Sequence, residues 1–258
     1  MKERPQNFCE QQLWDDGYVQ AELSVAPPED LIRRWLQKNI PPGQGSCLEL
    51  GCFPGRYLAV LGELGYEVNG IDLTPRVEQD LKPWLRRQGY RVGEFIRDDV
   101  FTHVFDRSYD IVCSFGLIEH FEDWPGLLRR HAELVSEGGM LIVSTPNFRG
   151  SVQRLLHRWC DQENFYRHNL AAMFPDKWAQ VAHAQNLEVI ESGCLGSFDF
   201  WYGAQRRNLL QKIVVKTVCR SVSWIQKLPL NNPAFAPYFG LIARKRRSTS
   251  PYTAKNFR

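Results

Sequence analysis

Along the middle of the chain, short apolar runs alternate with longer amphipathic ones. Ser46–Leu50, Glu67–Ile71, Val92–Ile96, Tyr109–Ser114 and Gly139–Ser144 have the length of strands. Most are apolar at consecutive positions, as strands buried on both faces are. Between them, Arg56–Leu64, Thr74–Gln88 and Trp124–Ser136 carry helical spacing. Leu127, Leu128, His131, Leu134 and Val135, for example, follow a period of about 3.6 residues. Pro41–Gly45 interrupts the chain before the first strand, and Glu137-Gly138-Gly139 stops a helix before the fifth. The pattern predicts an α/β fold: a doubly wound, mostly parallel sheet with helices on both faces.

The flanks read differently. A helix is expected over Pro28–Asn39, with Asp30 near its start. Leu187–Cys194 and Tyr238–Ala243 read as two further strands. A long helical pattern, Gln205–Leu228, lies between them, with a basic side of Lys212, Lys216, Arg220 and Lys227. Its apolar side is Leu210, Val214, Val218, Val222 and Ile225. The chain thus divides into an N-terminal helical segment (1–40), a core (41–146), a helical insert or lid with the last two strands (147–245), and a basic tail (246–258).

Composition narrows the class. The 258 residues, 43% hydrophobic, suffice for one large domain, and a charged fraction of 24% excludes global disorder. Mean hydropathy is −0.38, and no apolar run approaches the ~20 residues of a membrane span. The first residues, MKERPQNFCEQQ, have no apolar leader, so a cytoplasmic location is expected. The 32 basic and 29 acidic residues leave a net charge of +3, too balanced to imply nucleic acid. The 7 cysteines are widely spaced, odd in number and without a CxxC, which argues against a disulfide framework or zinc site.

The sharpest local signal is CLELGCFPGRYLAVLGELGYEVNGIDLTP, residues 47–75. A strand ends at Glu49-Leu50, a tight turn spans Gly51–Gly55, and a helix begins near Arg56. Glycine permits such a turn and a close approach of main chain to ligand. The free N–H groups of the helix start favour a polar or anionic group. Asp72 ends the next strand, 21 positions after Gly51, where a carboxylate accepts the two hydroxyls of a ribose. The competing structural reading is that Asp72 caps the following helix through Thr74-Pro75.

ELGCFPG resembles the first motif of the class I S-adenosylmethionine-dependent methyltransferases, E/D-x-G-x-G-x-G. Glu49, Gly51 and Gly55 match three of its marked positions, and Phe53 stands where the middle glycine usually sits. Asp72 is similar to the ribose-binding acid. Asp99 in IRDDVF is similar to the acid that pairs with the adenine amino group, with Asp98 as a substitute. Tyr109–Ser114 resembles the fourth strand, and Gly138–Ile142 the stretch leading into the fifth. The resemblance implies a seven-stranded Rossmann-like sheet ending in an antiparallel pair, with S-adenosyl-L-methionine as cofactor. It further implies that Cys52, Leu73, Val100, Ser114 and Phe115 belong to the cofactor's surroundings, with the residues already named.

The loop Ser114–Phe121 lies at the carboxyl edge of the sheet, where the acceptor would sit. His120 is the candidate base, because an imidazole of ordinary pKa suits proton removal near neutral pH. Glu119 is a second candidate. Ile118–Phe121 resembles the segment of ubiquinone-type and polysaccharide-cluster O-methyltransferases. In some relatives an E-x-x-E-H pattern binds a divalent metal; here Gly116 replaces the first acid, and no metal is expected. The expected acceptor is a small molecule, a hydroxyl of a sugar or polysaccharide precursor or a quinone-like phenol. An RNA methyltransferase and a non-catalytic cofactor-binding scaffold are the alternatives, the second prompted by Phe53. His157, His168 and His183 fall in the insert among aromatic residues, which form either a small helical core or a lid. The pattern 205–228 allows a helix packed on the core, peripheral contact with a membrane, or a homodimer element.

Overall fold

The apolar runs of the middle of the chain form β1 (Ser46–Leu50), β2 (Glu67–Asp72), β3 (Val92–Arg97), β4 (Tyr109–Phe115) and β5 (Val135–Pro146), all parallel. With β6 (Leu187–Leu195) and β7 (Tyr238–Lys245) they build one sheet of order β3-β2-β1-β4-β5-β7-β6. β7 runs antiparallel to both its neighbours, giving the expected doubly wound, seven-stranded arrangement. The computed structural model describes residues 11–19, 21–203, 205–228 and 230–247. Residues 248–258 of the tail and 1–10 of the N-terminal segment lie outside the described residues.

The helices are α1 (Gln11–Tyr18), α2 (Leu31–Asn39), α3 (Arg56–Glu63), α4 (Lys82–Arg87), α5 (Trp124–Leu134), α6 (Ser151–Cys160), α7 (Gln162–Tyr166), α8 (Pro175–Ala184) and α9 (Leu209–Ile225). The side-chain alternation of each strand assigns its residues to two cores. On one face Cys47, Ile111, Cys113 and Ile142 meet α2, α3 and α4 through Leu36, Leu61 and Leu85. On the other, Leu48, Val112, Leu141 and Leu241 meet α5 and α8 through Leu128 and Trp178. This two-sided burial is why the strands read as continuous apolar runs.

Several boundaries move for local reasons. The helix expected over Pro28–Asn39 begins at Leu31, because the Asp30 carboxylate accepts from the Ile32 and Arg33 N–H groups at 2.9 and 3.0 Å. The stretch 74–88 is a π-helical turn, Val77–Leu81, running into α4. α5 stops at Leu134, and Val135 already pairs with Tyr109 across the sheet. Residues 205–208 are not helical: Arg207 is bonded to the Cys160 and Gly203 carbonyls, and α9 starts at a capping box of Asn208 and Gln211. Val214, Val218, Val222 and Ile225 pack as expected, with Val215, but Leu210 lies on the exposed side. The insert forms two excursions. One, holding α6 and α7, leaves β5 before α8; the other, holding α9, links β6 to β7.

Candidate active site

Chain order reverses between β1 and β4, and beyond their carboxyl ends lies a cavity of about 280 Å³. The glycine turn forms its floor. Gly51 has φ +67°, and a Cβ there would lie 2.6 Å from Leu117 Cδ1. Gly55 caps α3 with φ +76°, and a Cβ there would meet Leu81 Cδ1 at 2.5 Å. Both positions therefore require glycine, for backbone conformation and for space.

Nine of the expected site residues line the cavity: Gly51, Phe53, Asp72, Leu73, Asp98, Asp99, Val100, Phe115 and His120. Asp72 also serves the turn, accepting from the Phe53 N–H at 3.0 Å and the Thr74 N–H at 3.1 Å. Asp72 thus lines the cavity and closes a local turn, and it does not cap the following helix, whose N-cap is Arg76. Asp98 accepts from His103 Nδ1 at 2.9 Å, and this bond holds its carboxyl below the usual range. Asp99 accepts from the Phe101 N–H at 3.0 Å, which fixes the loop beside the cavity.

The other five stand behind the wall. Glu49 is buried in β1 and bonds the Leu58 N–H at the start of α3; burial, then the charge of Asp72, raises its pKa well above the ordinary value. Cys52 is buried against Gly70, where a Cβ would lie 2.5 Å from its sulfur. Gly55 acts through the turn. Ser114 Oγ faces His131 Nε2 at 2.9 Å, inside the α5 layer rather than at the cavity. Glu119 is fully buried beside the cavity.

The sequence reading missed the roof. α1 lays Trp14 and Tyr18 over the cavity. Arg76 holds α1 there by bonding the Tyr18 carbonyl, and its guanidinium lies over the Phe53 ring at 4.8 Å. Phe53 in turn meets Tyr18 at 4.8 Å between centroids. Its ring therefore occupies the wall under α1 instead of entering the sheet. Phe101, Leu117 and Phe121 complete an aromatic and aliphatic lining. The i, i+4 pair Trp14 and Tyr18, in an otherwise polar start, was the available signal.

His120 stands at the cavity edge, and its Nδ1 lies 3.1 Å from the Arg167 carbonyl oxygen. That oxygen only accepts, so Nδ1 carries the proton and Nε2 the lone pair. His168 is held the same way, its Nδ1 2.6 Å from the Asn164 carbonyl. The two rings lie 4.5 Å apart, and Trp14 meets His120 edge-on at 4.6 Å. Burial pushes the His120 pKa down to about 4. The expectation of an ordinary imidazole pKa is therefore corrected: His120 is neutral and weakly basic at pH 7 because its surroundings do not solvate the cation. Burial pushes Glu119 the other way, up to about 8, and both its carboxylate oxygens lack a hydrogen-bond partner.

Glu119, His120 and His168 offer three donor atoms, all within 4.8 Å of one another, that could hold a metal ion. The expectation of no metal rested on Gly116. The fold brings His168 from the insert to the pair, a meeting that no local spacing announces. An orphaned carboxyl between two Nε2 lone pairs fits either a proton or a cation.

A family model described as a methyltransferase domain matches residues 18–192. Among curated relatives, the ubiquinone biosynthesis O-methyltransferase of Thiobacillus denitrificans is 26% identical over 135 residues, 52% of this chain and 57% of that one. That of Coxiella burnetii strain Dugway is 24% identical over 190 residues, 73% of this chain and 79% of that one. The chain spans about half the length of the first curated relatives it matches. Among solved structures, MccD protein aligns with TM-score 0.58 at 15% identity, covering 87% of this chain and 100% of that one. Coclaurine N-methyltransferase bound to N-methylheliamine and SAH aligns with TM-score 0.53 at 14% identity, covering 83% and 72%. No helix among the described residues is long and apolar enough to cross a membrane. The family model covers more than half of the sequence and contains the glycine turn, Asp72, Asp99 and His120, so the chain belongs to the methyltransferase-domain family, whose methyl donor is S-adenosylmethionine.

Proposed function

We propose that this protein transfers the methyl group of S-adenosylmethionine to a phenolic hydroxyl of a small, largely apolar acceptor. The donor's ribose would be held by Asp72 and its adenine by Asp99, with Gly51 and Phe53 along its length. The acceptor would enter between Trp14, Phe101, Leu117 and Phe121, with its hydroxyl toward His120. The oxygen attacks the methyl carbon in line with the departing sulfur. A C–O bond forms, the C–S bond breaks, and the sulfonium becomes a neutral thioether. His120 Nε2 takes the hydroxyl proton.

The observation carrying this reading is His120 at the edge of an aromatic wall, with Nδ1 bonded to the Arg167 carbonyl and the Nε2 lone pair left to accept a proton. A phenol, with a pKa of about 10, needs far less help in losing its proton than an aliphatic alcohol. A sugar would also need several polar partners, whereas Trp14, Phe101, Leu117 and Phe121 offer apolar surface. The O-methyltransferase names of the curated relatives agree with the choice. A metal held by Glu119, His120 and His168 would occupy that same Nε2 lone pair and so replace the base, supplying Lewis-acid polarisation of the hydroxyl instead.

The test supplies isotopically labelled S-adenosylmethionine with a panel of catechols and other phenols, and in parallel with nucleotide sugars. Labelled phenol ethers are expected, with kcat falling ~10²–10⁴-fold in His120→Ala while S-adenosylhomocysteine binding holds. Methylation of the sugars alone, or an undiminished kcat in His120→Ala, would refute the assignment.

A further inference from the structure

The outer face of α9 is unusual for a helix on a water-facing surface. Leu209, Ile213 and Trp224 are exposed by 75%, 53% and 73%. Lys216, Arg220 and Lys227 are exposed beside them. At 100° per residue the five of these side chains within α9 fall within an arc of about 80°, opposite the face that packs through Val215 and Val218. On the neighbouring α6, tied to α9 where Gln211 Nε2 donates to the Trp159 carbonyl at 2.7 Å, Leu155 and Trp159 are also exposed, one turn apart. Arg154 and Arg158 flank them.

The charge around α9 has the matching sign. Residues 200–230 contain six Lys and Arg and no Asp or Glu, so an anionic surface would attract this face.

We infer that the outer face of α9 docks on an anionic lipid bilayer, with the helix lying in the plane of the interface. Trp224 and the aliphatic side chains enter the headgroup region while the adjoining cations meet lipid phosphates. Lys227 Nζ lies 5.3 Å from the Trp224 ring, so one cation and one anchor occupy the same place on the surface. A second copy of the chain is a poorer occupant, because a two-fold interface would bring the basic rows together. Nucleic acid would use the cations and leave aliphatic side chains against a polar partner. Docking is independent of which acceptor the site takes.

Co-sedimentation of the full chain with phosphatidylcholine vesicles, with and without a quarter of phosphatidylglycerol, tests this. Binding is expected to the anionic vesicles and to weaken steeply with salt. Each Lys or Arg near such a surface contributes about fivefold, so Lys216→Gln/Arg220→Gln/Lys227→Gln should lose about a hundredfold in partitioning. Leu209→Ser/Ile213→Ser/Trp224→Ser should abolish it. All six positions are exposed, and retained S-adenosylhomocysteine binding verifies the fold of each variant. Three results would overturn the proposal. The protein fails to sediment with anionic vesicles at low salt; both variants sediment like the wild type; or an oligouridylate is bound in place of vesicles. A dimer dissolved by the apolar variant, without a lipid effect, would instead assign the face to a second copy.

Discussion

Replacing Glu119 by glutamine isolates one energetic consequence of the site. Folding carries this carboxyl from water to a place where neither oxygen finds a hydrogen-bond partner, and its pKa rises from 4.5 to about 8. Between those values the unfolded chain has lost the proton that the folded chain keeps. The folded state binds more protons there, so stability falls as pH rises from 4.5 toward 8 and then levels off. At about 1.4 kcal/mol per unit, the wild type should lose about 3 kcal/mol between about pH 5 and pH 7.5 through this group. Glu119→Gln has nearly the same shape and no charge to lose. Its stability relative to the wild type should therefore improve by about that amount over the same interval. Urea denaturation of both proteins at a series of pH values, with chelator present, measures this, and titrations common to both cancel in the difference. A difference that stays constant from pH 5 to pH 7.5, within about 0.5 kcal/mol, would refute the reasoning. Adding a divalent cation then reads the alternative occupant: an ion held by the folded trio raises the midpoint of the wild type and leaves the variant unchanged.

Three further outcomes follow from the cavity. Asp72→Ala should weaken S-adenosylhomocysteine binding by about 1.5–3 kcal/mol in calorimetric titration; unchanged affinity would remove this carboxylate from the ligand. Gly51→Ala should destabilise the fold by about 1–2 kcal/mol and lower cofactor affinity, through the left-handed backbone and the contact with Leu117; an unchanged denaturation midpoint would argue against both. Arg76→Ala should loosen α1, seen as faster amide exchange over residues 11–19 and about tenfold weaker S-adenosylhomocysteine binding, and equal exchange would show that α1 is held by other contacts.

Much of this architecture was legible because its signals are local. β1, the turn Gly51–Gly55, α3 and Asp72 follow within some 25 residues, and each choice of residue agrees with its neighbours. The two-faced core was legible too, since Ile111-Val112-Cys113 and Leu141-Ile142-Val143 leave no polar face. The roof was not. α1 is short and polar by composition, and what seats it is Arg76, 58 positions beyond Tyr18. The His120–His168 meeting likewise joins residues 48 positions apart, through an insert whose own pattern says only that it is helical and aromatic. The His120 pKa escaped for the same reason: the residue type supplies the ordinary value, and only tertiary burial supplies the shift. Leu210 was misplaced because helical periodicity gives a face but not its boundary, and the first turn of α9 projects past the core that receives Val215.

One edge of the sheet is β6, where one row of main-chain groups has no strand beside it among the described residues. Register shifts there between Val189, opposite Ala243, and Glu191, opposite Ile242. Ile190 is the extra residue, half exposed, with Glu188 and Glu191 close by. A kink carrying two carboxylates is a poor template for a strand from another molecule. An approaching copy would lose hydrogen-bond register at the bulge, so this edge of the sheet is a poor start for growth from one molecule to the next.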